Sequence, residues 1–179
     1  NNAISSMNVG SAYVFDAASG NLLRTLNNPT PAQNDQFGWS VAVSESKVVA
    51  GAPFDDTGST DAGSAYVFDA ASGNLLRTLN NPTPIPSDQL GSSVAVSGSI
   101  VVAGAESDNT GASDAGSAYV FDAASGSLLR TLNNPTPQAS DWFGHSVAVS
   151  GSTVVAGAHC DDTGATDTGA AYIFDAATG

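Results

Sequence analysis

Apolar residues recur along the chain in short runs, and several of these runs alternate with polar residues at a period of two. Residues 40–43 (SVAV) alternate in this way, residues 48–52 (VVAGA) form a short apolar run, and residues 65–68 (AYVF) and 75–79 (LLRTL) follow. Runs of this length that are rich in β-branched and aromatic residues predict strands. Gly, Ser, Asp and Asn separate the runs, so we expect tight turns and antiparallel hairpins.

One of these turns has specific chemistry. Asp69 begins the turn between AYVF and LLRTL and can accept backbone N–H bonds across it, while Gly73 can adopt the positive φ that closes the loop. Pro82 and Pro84 follow the second strand and lack the N–H that a central strand needs. We therefore expect a hairpin that stops pairing at the prolines.

The strands belong to a tandem repeat of 53 residues. The phrase GSAYVFDAASGNLLRTLNNPTP begins at Gly63 and returns with few changes at Gly10 and Gly116, and its first half returns at Gly169. Each complete repeat holds four predicted strands, SVAV, VVAGA, AYVF and LLRTL. Four antiparallel strands in a unit of about 40 to 50 residues are typical of a propeller blade. We predict an all-β fold of four-stranded β-propeller blades; a β-sandwich and an open solenoid are the alternatives.

The repeat also predicts how the chain is divided. Residues 1–36 contain a polar leader and the last two strands of a partial repeat, 37–89 and 90–142 are complete repeats, and 143–179 hold the first three strands of another. A propeller ring needs at least four blades, so one chain gives an incomplete ring. Unpaired strand edges are avoided in natural sheets. We therefore predict either that the chain is a piece of a longer array or that strand or blade complementation joins copies into a closed homo-oligomer or a filament.

Charge narrows the classes of partner. Seventeen acidic residues face four basic ones, for a net charge of −13. Such a surface repels phosphate, so we expect neither nucleic acid nor anionic lipid as a partner. No run reaches the roughly 18 apolar residues of a membrane span, so we expect no membrane insertion. The single cysteine, Cys160, excludes an internal disulfide and is interpreted as a buried small side chain or a free thiol.

Motifs in every copy resemble a known family. Residues 37–38 (FG) followed by residues 50–53 (AGAP), an acidic loop and GSAYVF are similar to the FG-GAP repeat of integrin α-subunit propellers and of their bacterial relatives. The resemblance covers essentially the whole chain, although Leu90 replaces Phe in the second copy, and Glu106 and His159 stand where the first copy has proline. The resemblance implies a propeller blade used mostly for extracellular binding. Our leading hypothesis is an extracellular or cell-surface, non-enzymatic propeller segment that serves adhesion or structural assembly.

The acidic loops after VVAGA are candidate calcium sites. The calcium loop that the resemblance implies lies between SVAV and VVAGA, and here that connection is too short, so that site is absent. Calcium prefers six to eight oxygen ligands, and carboxylates clustered around a glycine bend suit it. The alternative is that these side chains cap turns and keep an exposed loop soluble. The candidate ligands are Asp55, Asp56, Asp61, Asp108, Asn109, Asp114, Asp161, Asp162 and Asp167.

A few positions differ between otherwise similar copies. Trp39, Ser92 and His145 occupy one equivalent position, and Trp142 stands where the other copies have glutamine. Drift after duplication explains such differences, but an aromatic ring beside a loop can also stack on a sugar or anchor a protein. Trp39, Trp142 and His145 are therefore candidate contacts for a glycan or another extracellular protein. A lectin-like, glycan-binding module is the alternative function.

No catalytic constellation stands out. The polar residues that occur only once among the repeats are His145, His159 and Cys160, and the sequence predicts no acid partner for them. Two histidines and one cysteine also fall short of a closed zinc site. We therefore predict that the chain is not an enzyme.

The arginines of the repeat are expected to be structural. Arg24, Arg77 and Arg130 hold the same place in LLRTL, and acids greatly outnumber bases. A guanidinium suits bidentate contact with a carboxylate. We therefore predict that each arginine pairs with a nearby acid.

Overall fold

The computed structural model describes residues 8–179; residues 1–7, most of the predicted polar leader, lie outside the described part. The described residues form thirteen strands and no helix. No helix that could cross a membrane occurs among residues 8–179. The strands are β1 (Ser11–Phe15), β2 (Leu22–Asn27), β3 (Val41–Ser44), β4 (Lys47–Ala52), β5 (Ser64–Asp69), β6 (Leu75–Asn80), β7 (Leu90–Ser97), β8 (Ile100–Ala105), β9 (Ser117–Asp122), β10 (Leu128–Asn133), β11 (Ser146–Ser150), β12 (Thr153–Ala158) and β13 (Ala170–Asp175).

Each strand pairs with its neighbours in sequence. The four sheets are β1–β2, β3–β4–β5–β6, β7–β8–β9–β10 and β11–β12–β13, and all the pairs within them are antiparallel. Within the second sheet, Val49 lies opposite both Ala42 and Val67. The predicted all-β fold with four-stranded antiparallel units is therefore confirmed for the two complete repeats.

The turn between β5 and β6, the third and fourth strands of the first complete repeat, has the hydrogen bonds and the positive φ that the sequence predicts. Asp69 Oδ1 accepts hydrogen bonds from the backbone N–H and the hydroxyl of Ser72, both at 2.7 Å. These two bonds lower the pKa of Asp69 below its ordinary value. Gly73 adopts a φ of +76° and closes the loop.

Successive sheets pack face to face, and each complete sheet has two different faces. The front face carries the aromatic pair Tyr66 and Phe68, and the back face carries Val49, Val67 and Leu79. The back face of one sheet always packs on the front face of the next. The first core joins the back of β1–β2 to the front of β3–β6, and two further cores repeat this arrangement along the chain.

The backbones of neighbouring sheets come closest at a glycine pair. A Cβ added to Gly51 would overlap the carbonyl oxygen of Gly91, and the same relationship joins Gly104 to Gly144. The hydroxyl of Ser40 donates a 2.7 Å hydrogen bond to that same Gly91 carbonyl. The glycine of the Ala-Gly-Ala run is therefore required for contact between sheets and not for an unusual φ.

The arginines of the described residues form no direct ion pair with an acid, but the charges of Arg24 and Arg77 help to lower the pKa of Asp69 and Asp122 in the following sheets. Arg24, Arg77 and Arg130 each donate to the carbonyl of the preceding leucine. The only ion pair in the described residues joins His145 to Glu106. All three arginines are exposed on the last strand of a sheet, where water competes for the guanidinium and an ion pair adds little stability.

Candidate functional site

The acidic loops are the segments that follow the second strand of each repeat, residues 53–63, 106–116 and 159–169. Asp55 is buried in the first loop and accepts hydrogen bonds from the hydroxyl of Tyr66 at 2.7 Å, the backbone N–H of Thr57 at 2.8 Å and the hydroxyl of Ser64 at 3.2 Å. Asp108 and Asp161 accept from Tyr119 and Tyr172 in the same way. The first aspartate of each loop therefore connects the loop by a hydrogen bond to the third strand of its repeat, which is β5, β9 or β13.

These hydrogen bonds control the ionisation of Asp55. Burial alone would raise the pKa of Asp55, but the hydrogen bonds from Thr57, Tyr66 and Ser64 outweigh it and hold the pKa below the ordinary value. Burial and the bond to Asp55 raise the pKa of Tyr66. Asp55 is therefore an ionised acceptor at neutral pH, with Tyr66 as its donor.

The second acidic position closes the loop on itself. Asp56 Oδ1 accepts the backbone N–H of Asp61 at 2.9 Å, and Asp61 adopts a φ of +51°. The same bond recurs in the other two repeats. The pairs are Asn109 with Asp114 at 2.9 Å and Asp162 with Asp167 at 2.8 Å.

The structure thus uses many of the candidate calcium ligands to cap turns. Among residues 8–179, no group of three or more His, Cys, Asp and Glu side chains is arranged to hold a metal ion. Calcium binding by the acidic loops stays a prediction. A rise in melting temperature on adding Ca²⁺ would support it, because a ligand that binds only the native state stabilises that state.

A second set of buried carboxylates was not singled out from the sequence. Asp35 lies in the connector between the first two sheets, where its Oδ2 accepts from the Asn28 side chain and from the Ala32 backbone N–H, both at 2.7 Å. Its Oδ1 is buried without a hydrogen-bond partner among the described residues, and so are those of Asp88 and Asp141. The available signal was the spacing of seven residues between Asn and Asp, which recurs in all three connectors.

Burial dominates the ionisation of these connector aspartates. It raises the pKa of Asp35, the hydrogen bond from Ala32 opposes the change, and the charge of Asp55 adds to it. Burial likewise raises the pKa of Asp88 and of Asp141. Each connector therefore places a carboxylate whose charged form is disfavoured by burial close to the hydrogen-bonded carboxylate of an acidic loop, as Asp35 lies close to Asp55.

The candidate partner-binding residues lie in two places. Trp39 is 58% exposed, and its ring contacts Phe54 edge-on with centroids 6.0 Å apart. Trp142 instead stacks on His159, at 5.1 Å and 27°, beside His145. Trp39 therefore belongs to the first complete repeat, while Trp142 and His145 lie together at the contact between the third and fourth sheets.

Four side chains form a cluster at that contact, which we call the histidine cluster: Glu106, Trp142, His145 and His159. The ring Nδ1–H of His145 donates to Glu106 Oε2, and the rings of His145 and His159 lie 4.3 Å apart. With Ser107 these residues line a groove of about 280 Å³. The sequence predicted no acid partner for the histidines, because Glu106 is 39 residues from His145 and belongs to the preceding repeat.

Cys160 follows this cluster. Its thiol is free and half-buried, between the two interpretations drawn from the sequence. Burial and neighbouring acids raise the pKa of the Cys160 thiol. The thiol is therefore a poor nucleophile at neutral pH.

Structural similarity supports the propeller interpretation. The computationally designed Ika8 protein matches with a TM-score of 0.57 and 20% identity over 96% of this chain. The designed Ika4 protein matches with a TM-score of 0.56 and 21% identity over 93% of this chain. The chain spans 42% of Ika8 and 79% of Ika4. At these identities, the likeness concerns the fold alone.

Sequence similarity identifies the family. No curated protein sequence matches the chain. The FG-GAP repeat profile matches it three times, over residues 29–68, 85–121 and 135–174, which together make up more than half of its length. The matched ranges contain most of β3–β5, most of β7–β9 and most of β11–β13, and the chain belongs to the FG-GAP repeat family.

Proposed function

We propose that this chain is an extracellular structural module whose two end faces bind each other in neighbouring copies. The observation that carries the proposal is a contrast in burial between equivalent residues. The same side chains are covered inside the chain and exposed at its first and last sheets. An exposed apolar face of this kind marks an interaction surface.

The front face of the first sheet is the first exposed end. Tyr13 is 59% exposed, whereas its equivalents Tyr66 and Tyr119 are 0% and 1% exposed. Phe15 is 58% exposed, whereas the equivalent Phe68 is buried. Within the described residues, no preceding sheet covers Tyr13 and Phe15, and β1 lacks the neighbouring strand that β4 and β8 provide in the complete sheets.

The back face of the last sheet is the second exposed end. Ile173 is 75% exposed, whereas its equivalents Val67 and Val120 are fully buried. Inside the chain this back-face position packs in the cores that join each sheet to the next. A second copy can therefore present to Ile173 the same front face that the chain already uses internally.

An apolar groove between β1 and the second sheet enlarges the exposed apolar surface at this end of the chain. Val41 and Val43 are exposed on β3, whereas the equivalent Val94 and Val96 on β7 are buried against the preceding sheet. These valines and β1 line a groove of about 310 Å³. Within the described residues, β1 pairs with β2 alone, so a strand from a second copy can add along its other edge.

A contact between a front face and a back face joins two different surfaces. Such a heterologous contact closes into a ring if the rotation between copies allows it and otherwise grows as a filament. The module is thus suited to structural assembly, in line with the binding and structural role expected of an extracellular FG-GAP repeat protein.

Sedimentation velocity of the 179-residue chain over a range of concentrations tests the proposal. We expect species larger than one chain, and we expect Tyr13→Asp or Ile173→Asp to give monomers, because each variant places a charge in one of the two faces. Ile85→Asp is the matched control, because Ile85 is 50% exposed but lies in a connector. Circular dichroism checks that each variant is folded.

Mixing the two blocked variants gives a sharper test. Tyr13→Asp keeps its back face and Ile173→Asp keeps its front face, so an equimolar mixture should form dimers and nothing larger. A monomeric wild-type chain at 100 μM would overturn the proposal. So would an assembly that Ile85→Asp disrupts as strongly as Ile173→Asp does.

Glycan binding at Trp39 is the second candidate function. The specific support is the exposed indole, which can stack on a sugar ring. Trp142 is less suited to this role, because His159 already stacks on it. A glycan array probed with wild type and Trp39→Ala tests the idea, and equal signals from both proteins would remove it.

A further inference from the structure

We propose that His145 and His159 bind a divalent transition-metal ion such as Zn²⁺, with Glu106 as a positioning residue. The site joins two consecutive repeats, since Glu106 follows β8 in the third sheet while the two histidines flank β11 and β12 in the fourth. Imidazole nitrogen is a preferred ligand of zinc, copper and nickel. Glu106 and His159 are the first residues of two acidic loops, but none of the calcium candidates in those loops belongs to this site.

The contact with Glu106 prepares His145 to bind a metal. A carboxylate can only accept, so the ring Nδ1 of His145 must carry the proton that Glu106 Oε2 receives. In the neutral ring, this leaves the lone pair on Nε2. A carboxylate that holds one nitrogen of a histidine while the other binds a metal is the usual arrangement around protein-bound zinc.

The second imidazole lies within reach. Two nitrogens on one tetrahedral zinc ion are about 3.3 Å apart, because each bond is about 2 Å long. The ring centroids of His145 and His159 are 4.3 Å apart, and each nitrogen lies about 1 Å from its centroid, so small rotations can bring two nitrogens to that separation. Both side chains are exposed, and the rotation of His159 would shift its stacking contact with Trp142.

The other ligands of the ion would be water. Among residues 8–179, no three ligand side chains are arranged around one ion, so the proposal assigns only the two imidazoles as protein ligands. The groove beside the cluster opens to solvent and gives the ion a path of entry. The net charge of −13 raises the local concentration of cations.

The composition of the chain makes the site easy to test. His145 and His159 are its only two histidines, so any imidazole signal reports on this cluster. We would titrate the 179-residue protein with ZnCl₂ in 0.15 M NaCl and follow heat together with imidazole ¹⁵N shifts. We expect one Zn²⁺ per chain at micromolar concentration, with both rings shifting at the same stoichiometry.

Single substitutions distinguish the two metal ligands, His145 and His159, from the positioning residue Glu106. His145→Ala and His159→Ala should each weaken binding more than about tenfold, because each removes one of two protein ligands. Glu106→Gln should weaken it about tenfold and reduce the preference of His145 for a proton on Nδ1 in the ¹⁵N spectrum. Glu45→Gln is the control, since it removes an exposed carboxylate from the turn between β3 and β4 in the second sheet, and it should leave binding unchanged.

Three results would overturn the proposal. One is the absence of an imidazole shift at two equivalents of Zn²⁺. Another is binding that survives in the double variant His145→Ala, His159→Ala, since the ion would then sit on surface carboxylates. The third is a shift of only one ring, which would show that the two histidines do not share an ion.

Discussion

The hydroxyl of Tyr66 donates a 2.7 Å hydrogen bond to the buried carboxylate of Asp55, eleven residues earlier in the chain. The same pair recurs as Tyr119 with Asp108 at 2.6 Å. Both partners are almost completely buried. The bond therefore fixes each acidic loop to the third strand of its own repeat. The hydroxyl of Tyr66 also contacts the hydroxyl of Thr30, which lies in the preceding connector.

Removing this hydroxyl should destabilise the protein. We expect Tyr119→Phe to lower the free energy of unfolding by about 1.5–3 kcal/mol, because the buried carboxylate of Asp108 loses one of its donors and keeps only others such as the Thr110 backbone N–H. Urea denaturation measures the effect. Tyr13→Phe is the control, since Tyr13 is exposed and should cost almost nothing. Equal costs for the two variants would show that the bond to Asp108 contributes nothing.

The glycine contact between sheets should tolerate no side chain. Gly104→Ala places a Cβ against the carbonyl oxygen of Gly144 in the next sheet, and we expect a loss of about 1–3 kcal/mol or more. Gly157→Ala is the matched control, because its Cβ would meet the side chain of Ser146 and no backbone of another sheet. Thermal melts compare the two. A milder effect at Gly104 than at Gly157 would contradict the close approach of the sheets.

The two leucines of β6 should differ. Leu79 is 1% exposed and packs in the core between sheets, whereas Leu76 is 38% exposed, although both fit the strand pattern equally well. We expect Leu79→Ala to cost about 2–5 kcal/mol. Leu76→Ala should cost less than about 1 kcal/mol. Chemical denaturation of the two variants side by side checks the difference.

The contributions of Asp88 and Asp55 to the free energy of unfolding should change with pH in opposite directions. Burial raises the folded-state pKa of Asp88, so its contribution is most favourable below the ordinary value of 3.8 and is lost as pH rises through the folded pKa. Asp88→Asn should therefore gain stability relative to wild type as pH rises from 3.5 to 7. The amide oxygen can still accept from Asn81 and Ile85.

Asp55 should behave in the opposite way. Its folded-state pKa is lowered, so its contribution is present above the ordinary value of 3.8 and is lost as pH falls through the folded pKa. Asp55→Asn should be less stable than wild type at pH 7 and approach it in acid. Melting temperatures from pH 3 to 8 measure both variants, with Glu45→Gln as an exposed control. Parallel curves for all three would refute the assignment.

The strands, the hairpins and the family could be predicted from the sequence because their signals are local. Asp69 and Gly73 lie four residues apart and close one turn on their own, so the turn chemistry determined the hairpin. The 53-residue period then placed every strand three or four times over. Repetition made each local inference stronger than one copy would have allowed.

The contacts between repeats could not be predicted in the same way. Glu106 meets His145 only because one sheet packs on the next, and no periodicity within a repeat carries that information. The Oδ1 atom of Asp35 is buried without a hydrogen-bond partner among the described residues. The polar, proline-rich sequence of its connector would instead suggest an exposed side chain. Composition suggested direct ion pairs for the arginines, and the structure instead places Arg24 and Arg77 near Asp69 and Asp122 without direct contact.

The alternation of an aromatic front with an aliphatic back has a consequence for how such genes change in length. An unequal crossover that adds or removes 53 codons keeps a front face packed on a back face at every remaining junction, because each unit carries both faces. Growth or shrinkage of the array then needs no compensating substitution. Near-identical copies in this chain are what that freedom would leave behind.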